Sequence, residues 1–235
     1  MIAVITSTIN PAKPHDGFTK SYFDVEERLR QTSFTIDSLL LQPFKKIYLI
    51  DNSNSFDYSK LSEIYKGKLE ILSFKQFQFK NKGINELLML LAFVDDVAPN
   101  EVIFKISGRY YPNKNFLCDI NEHHHFKVRG YNFLKKRGSI STRAYFVANK
   151  AVFKDFLLKT LNEVFVYPSR KVGLRSAFEN LKQFLKPTIT AEPSTSIEFA
   201  AARVLKEMSC KVQFVEPIGI EGRVAGFSDL ATIVE

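Results

Sequence analysis

Three short polar segments each close an apolar run: Thr6-Ser7-Thr8, Asp51-Asn52-Ser53 and Ser107-Gly108-Arg109-Tyr110. Hydroxyls, a carboxylate, an amide and a guanidinium are groups that recognise a nucleotide. The same residue types also form turns and cap helices, so each segment has a purely structural alternative. Short apolar runs that stop at such clusters read as buried strands. In an open α/β sheet, ligands bind beyond the carboxyl ends of the strands. All three segments then belong to one sheet edge, which makes that edge the candidate site. Other chemistries lack their motifs. The sequence has no phosphate loop of the Gly-x-x-x-x-Gly-Lys-Ser/Thr type, no Gly-x-Gly-x-x-Gly fingerprint, no Ser-His-Asp motif and no nucleophilic-cysteine signature. His123-His124-His125 lacks the spacing of a helical metal site, and adjacent residues on a strand point to opposite faces. It is expected to form a surface loop, and no metal site is expected.

The elements that position these residues alternate along the chain. Ile2–Thr6 is a strand, and Asp24 caps a helix running to about Leu41, with Val25, Leu29, Thr32, Ile36 and Leu39 at helical spacing. Lys46–Ile50 and Leu69–Phe74 follow as strands, Asn85–Val97 as an apolar helix and Val102–Ile106 as the fourth strand. That order predicts an α/β fold with a mostly parallel central sheet flanked by helices. After Gly130 the rhythm changes, with an antiparallel strand at Ala144–Ala148 and helices near 150–165, 174–185 and 196–208. Residues 1–112 form the binding half of one domain, and 113–235 form its acceptor-side, basic C-terminal half.

Composition narrows the class. The chain has 235 residues, 45% hydrophobic and 25% charged, enough to build a core without disulfide or metal staples. No apolar run reaches the length of a membrane span, and the N-terminal strand carries no charged signal-peptide region. With Cys118 and Cys210 far apart, a reduced, cytoplasmic protein is expected. The net charge of +8 is concentrated between Phe126 and Lys186, where 14 Lys and Arg face only Asp155, Glu163 and Glu179. An anionic partner follows.

The first 112 residues resemble the nucleotide-sugar-binding half of glycosyltransferases of the GT-A fold. The matching features are the first strand through Thr8, Arg28 and Arg30 in the first helix, and the strand ending at Asp51-Asn52-Ser53. Lys82-Gly83-Ile84-Asn85-Glu86 matches the start of a later helix, and Phe104–Tyr111 the strand where the family carries an Asp-x-Asp metal motif. The Lys105–Tyr110 string is similar to proteins of bacterial polysaccharide synthesis. The resemblance implies that Thr6, Ser7, Thr8, Asp51 and Asn52 meet the nucleoside, with Arg28 near the nucleotide. Lys82, Gly83, Lys105, Ser107, Gly108 and Arg109 would lie along the phosphates. The sequence departs from the family at the metal motif, where it carries Lys105 and Arg109 in place of carboxylates. Two cations can neutralise a departing diphosphate directly, and Gly108 would let the backbone approach it. A metal-independent transferase with no cofactor is therefore expected. Asp95-Asp96 reads as a solvated helix end.

Sugar transfer calls for a carboxylate at the acceptor hydroxyl or the sugar. Glu198 is the first candidate, its alternative being the third position of a capping box begun by Thr195. Glu221, in Gly219-Ile220-Glu221-Gly222, is the second, its alternative an ordinary turn carboxylate. The segment 168–186 forms a basic amphipathic helix that either rests on the core or touches an anionic membrane. The reading is a bacterial cytoplasmic glycosyltransferase taking a nucleotide sugar to a glycan or lipid-linked glycan, with peripheral contact at the inner membrane face. Two rivals stand beside it. A nucleic-acid-binding module lacks any recognisable motif, and a sugar nucleotidyltransferase lacks its Gly-rich basic loop after the first strand.

Overall fold

The computed structural model describes residues 1–12, 23–77, 79, 81–134, 138–166, 195–223 and 232–235. In chain order the elements are β1 (Ile2–Ser7), α1 (Val25–Leu40), β2 (Lys46–Asp51), α2 (Ser59–Ile64), β3 (Leu69–Ser73) and α3 (Lys82–Phe93). A 3-10 turn at Val94–Asp96 follows, then β4 (Ile103–Ser107), β5 (Tyr110–Pro112), β6 (Phe126–Tyr131), β7 (Ser139–Val147) and α4 (Lys150–Val166). The described chain ends with α5 (Ile197–Glu207), β8 (Val212–Phe214), β9 (Ile220–Arg223) and β10 (Thr232–Val234).

Seven strands form one sheet in the order β3-β2-β1-β4-β7-β6-β8, with helices on both faces. β3, β2, β1 and β4 run parallel, β7 is antiparallel to β4 and β6, and β8 is parallel to β6. The fold is therefore the mixed α/β architecture expected. A small antiparallel sheet, β10-β9-β5, stands beside it. β1 is apolar at every position from Ile2 to Ile5 because both of its faces are covered. Ile2 and Val4 join the core beneath α3, α4 and α5. Ala3 and Ile5 join the core beneath α1 and α2.

The strand order contains a switch point. From β1 the chain steps to β2 and β3 on one side, then returns to place β4 on the other. Such a reversal leaves a crevice between the carboxyl ends of the two strands that flank it. Here that crevice lies between Thr6 and Ser107, which are register partners on β1 and β4. Ser7 pairs with Asp51 on the opposite side of β1. The three polar segments thus share one edge.

Local chemistry sets the helix starts around this edge. Asp24 caps α1, its side chain accepting from the Glu27 N–H at 2.8 Å. Asn81 caps α3 through the Gly83 N–H, so the helix begins at Lys82, one turn before the apolar run suggests. Asp95 and Asp96 close it in the 3-10 turn, where Asp95 pairs with Lys154 in solvent. The amphipathic segment 168–186 lies outside the described residues. Among the described residues no helix is long and apolar enough to cross a membrane.

Candidate functional site

Three cations meet at the switch-point crevice: Arg28 from α1, Lys82 from the first turn of α3, and Arg109 just past β4. Arg28 is anchored by its own backbone contacts, donating from Nη1 to the Thr8 carbonyl at 2.6 Å and from Nε to the Phe23 carbonyl at 3.1 Å. Burial, then repulsion from Arg109, pushes its guanidinium down to about 10, against the pull of Asp51. Lys82 is also lowered, by burial first and then by Arg28 and Arg109. Arg109 is lowered chiefly by burial, a cost that outweighs the attraction of Tyr110 and Glu86. Its Nη1 is buried with no hydrogen-bond partner among the described residues. Arg28 and Arg109 are half-buried while Lys82 is exposed, and drawing the two guanidinium groups together partly out of water costs free energy unless a counter-charge is near. An anion in the crevice would supply it.

The wall beside the cluster is a buried network on the α3 face of the sheet. Glu86, one turn beyond Lys82, accepts from Thr6 Oγ1 at 3.1 Å and forms an ion pair with Lys105. Lys105 also donates to the Thr142 carbonyl at 2.5 Å and to Ser107 Oγ at 3.2 Å. Thr142 Oγ1 lies 3.4 Å from Glu198 Oε1, which ties the first turn of α5 into the network. α3 and α5 begin side by side. Asn81 donates to the Thr195 carbonyl at 2.9 Å, and a Cβ on Gly83 would lie 2.3 Å from Ile197 Cγ2. Two helix N-termini, each with a partial positive charge, therefore border the crevice.

Several expected contacts are corrected by this geometry. Lys105 does not face a phosphate: it is fully buried, and its three N–H groups are taken by Glu86, Thr142 and Ser107. Gly108 opens no path for one either. The space a Cβ would take is bounded by Thr32, Ile5 and Ser7 at 3.2–3.3 Å. Gly83 is required by Ile197 rather than by a ligand. Asp51 is fully buried and accepts from Ile9 N–H at 3.1 Å, Ser53 N–H at 2.7 Å and Tyr58 O–H at 2.6 Å, so it ties down the loop after β1. Thr8 and Asn52 bond each other at 2.6 Å, and Ser7 meets Thr32 at 3.2 Å.

The two candidate carboxylates separate. Glu198 stands at the second position of α5, because Ser196 and not Thr195 is the cap, accepting from Phe199 N–H. It therefore does not close a capping box and is left half-buried beside Thr142. Glu221 lies in β9 rather than in a loop, opposite Tyr111 and Val234, and its hydrogen bond to Tyr111 helps raise that phenol after burial does. The glycines around it serve the protein's own backbone. Gly219 has φ +89°, and a Cβ on Gly222 would lie 2.2 Å from the Arg109 carbonyl oxygen.

Sequence reasoning missed Glu86 as a participant, although it was visible four residues after Lys82, one helical turn away. It also missed the buried Glu235. That residue accepts from Tyr131 and Ser141 at 2.5 Å and pairs with Arg143, whose guanidinium lies over the Tyr110 ring. No local signal marks that contact, which joins positions 92 to 104 apart. At the end of β4 stand Lys105 and Arg109, with Glu86 the carboxylate beside them. Among the described residues no three His, Cys, Asp or Glu are grouped to hold a metal ion. His123 is exposed in a turn, while His124 and His125 are half-buried, and His125 Nδ1 accepts from the Lys211 N–H.

Fold and crevice together define an open α/β protein with a cationic switch point. No family model matches the chain, and no curated protein matches it. Solved structures resemble it at low identity. A nucleoside-diphosphate-sugar pyrophosphorylase from Vibrio cholerae RC9 has a TM-score of 0.49 and 9% identity over 97% of each chain. The glycosyltransferase GlyE of Streptococcus pneumoniae TIGR4 has a TM-score of 0.46 and 10% identity over 92% of this chain and 45% of its own. The chain thus spans less than half of that protein. The inositol-1-phosphate CTP transferase of T. maritima has a TM-score of 0.46 and 11% identity over 91% of this chain and 84% of its own.

Proposed function

We propose that the protein is a glycosyltransferase that takes its sugar from a nucleotide-activated donor and passes it to a glycan. The observation that carries this reading is the convergence of Arg28, Lys82 and Arg109, with Arg109 Nη1 buried and unpartnered among the described residues. A diphosphate is the anion whose charge and length suit three cations on three elements. In the reaction an acceptor hydroxyl attacks the anomeric carbon, the bond from that carbon to the diphosphate oxygen breaks, and negative charge accumulates on the leaving group. Fixed cations stabilise that charge more in the transition state than in the bound donor. Glu198, beside the crevice and free of a capping duty, takes the acceptor proton. Positive charge from side chains stands in for a divalent ion in this scheme.

The cluster would also suit a pyrophosphate leaving group, so nucleotidyl transfer to a sugar phosphate is the second reading. Product analysis separates the two. The protein is incubated with UDP-, GDP- and dTDP-sugars plus an oligosaccharide acceptor pool, and separately with nucleoside triphosphates plus sugar 1-phosphates. Acceptor-dependent release of a nucleoside diphosphate supports glycosyl transfer. Pyrophosphate release from the second mixture assigns nucleotidyl transfer instead, and neither product contradicts both.

A further inference from the structure

The loop between β3 and α3 presents an exposed aromatic ring next to the helix that carries Lys82. Phe77 is 43% exposed, so part of its ring is available at the surface. Rigidity comes from Asn85, which is almost buried in α3. Its Oδ1 accepts from the Phe77 N–H at 2.9 Å, and its Nδ2 donates to the Phe77 carbonyl at 2.8 Å. Both backbone groups of one exposed residue are thus held by a single side chain from the helix that carries Lys82. Two more bonds fix the loop against the sheet edge. Phe74 N–H donates to the Asp51 carbonyl at 2.8 Å, and Gln76 Oε1 accepts from the Ala12 N–H at 2.7 Å. The Phe77 backbone is thereby held between the residues that follow β1 and the first turns of α3, the helix that carries Lys82. The Lys75 ammonium lies 5.7 Å from the ring centroid and the Phe79 ring 6.2 Å away.

Resting on the donor reading above, we propose that Phe77 is the surface on which the base of the nucleotide stacks, with Asn85 as its positioning residue. A base has a π-face whatever its identity, and stacking on an aromatic side chain is tolerant of sequence. A ring held in place beforehand loses little freedom when the base arrives, so most of the contact appears as affinity. The cations would bind the diphosphate, and Phe77 would distinguish a nucleotide from a bare phosphate chain. Asn85 acts only through the loop and does not touch the ligand.

Calorimetric titration of the full chain tests this with UDP, GDP and inorganic pyrophosphate as probes. Phe77→Ala should weaken UDP and GDP about 5- to 150-fold, the range of one stacking contact. Phe77→Tyr should restore binding, and pyrophosphate affinity should stay within about twofold of wild type in both variants. Asn85→Leu, if folded, should weaken UDP and GDP as Phe77→Ala does, again without moving pyrophosphate. If Phe77→Ala binds UDP and GDP as the wild type does, the stacking proposal is overturned while the cation site stands. If the wild type binds neither nucleotides nor pyrophosphate, the donor reading falls, and this proposal with it.

Discussion

Replacing Arg109 by Met keeps the length of the side chain and removes its charge, so the two roles open to a buried guanidinium predict opposite signs. A paired structural cation leaves an uncompensated carboxylate when it is removed, at a cost of about 3–5 kcal/mol. Among the described residues Arg109 Nη1 is buried and unpartnered, and burial lowers the proton affinity of the guanidinium despite nearby Glu86. An unsatisfied buried donor costs about 1–3 kcal/mol, which Met recovers. The ligand-free Arg109→Met protein should therefore melt no lower than wild type, and about 2–4 °C higher for each kcal/mol recovered. Pyrophosphate should reverse the ranking. At a hundred times its Kd it stabilises the wild type by about 2.7 kcal/mol. Losing a charge-assisted hydrogen bond of about 1.5–3 kcal/mol raises the Kd about 10- to 150-fold. At the same concentration the variant then gains only about 0.3–1.4 kcal/mol. Thermal melts with and without pyrophosphate read both effects. A drop of more than about 10 °C without ligand, together with a wild-type pyrophosphate shift, would refute the reasoning and make Arg109 a structural cation.

Three other substitutions or treatments give equally definite results. Glu198→Gln keeps the hydrogen bond from Thr142 but removes the base, so sugar transfer should fall about 100- to 10,000-fold with pyrophosphate binding unchanged. Transfer within about threefold of wild type would remove Glu198 from the mechanism. EDTA should slow the reaction less than about tenfold, equivalent to about 1.4 kcal/mol in barrier. Complete loss that Mn²⁺ restores would show that a metal ion supplies the charge. Asp51→Ala strips the acceptor from Ile9, Ser53 and Tyr58, and should lower the melting temperature by roughly 6–12 °C for about 3 kcal/mol lost. An unchanged melt with lost nucleotide affinity would instead make Asp51 a direct ligand contact.

The sheet edge could be read from sequence because parallel strands covered on both faces leave continuous apolar runs, and those runs end in polar residues that hold the loops and helices at the carboxyl ends of the strands. Ile2–Ile5 and Ile47–Ile50 show this directly, and their polar ends are register neighbours. The mostly parallel α/β class followed from the same alternation. What could not be read was which polar groups the protein consumes internally. Lys105 alternates with Phe104 and Ile106 and so turns toward α3, but only the folded arrangement shows Glu86 waiting there. A lysine in a strand looks the same whether it meets a ligand or a carboxylate. Glu198 turned on a one-residue choice of cap, Thr195 or Ser196, which local sequence leaves open. Glu221 looked loop-borne because of its glycines. In the fold, Gly219 makes a left-handed turn and Gly222 lets β9 lie against the Arg109 carbonyl. Phe77 and Asn85 gave no motif at all, since their relation is a tertiary clamp.

The central claim is that Arg28, Lys82 and Arg109 together form a diphosphate site. A crystal structure of the protein soaked with a nucleoside diphosphate tests it most directly. A phosphate oxygen is expected within hydrogen-bond distance of Arg109 Nη1, with the Arg28 guanidinium and the Lys82 ammonium on the same diphosphate. A diphosphate bound elsewhere on the protein, with Arg109 Nη1 still unpartnered, would contradict it.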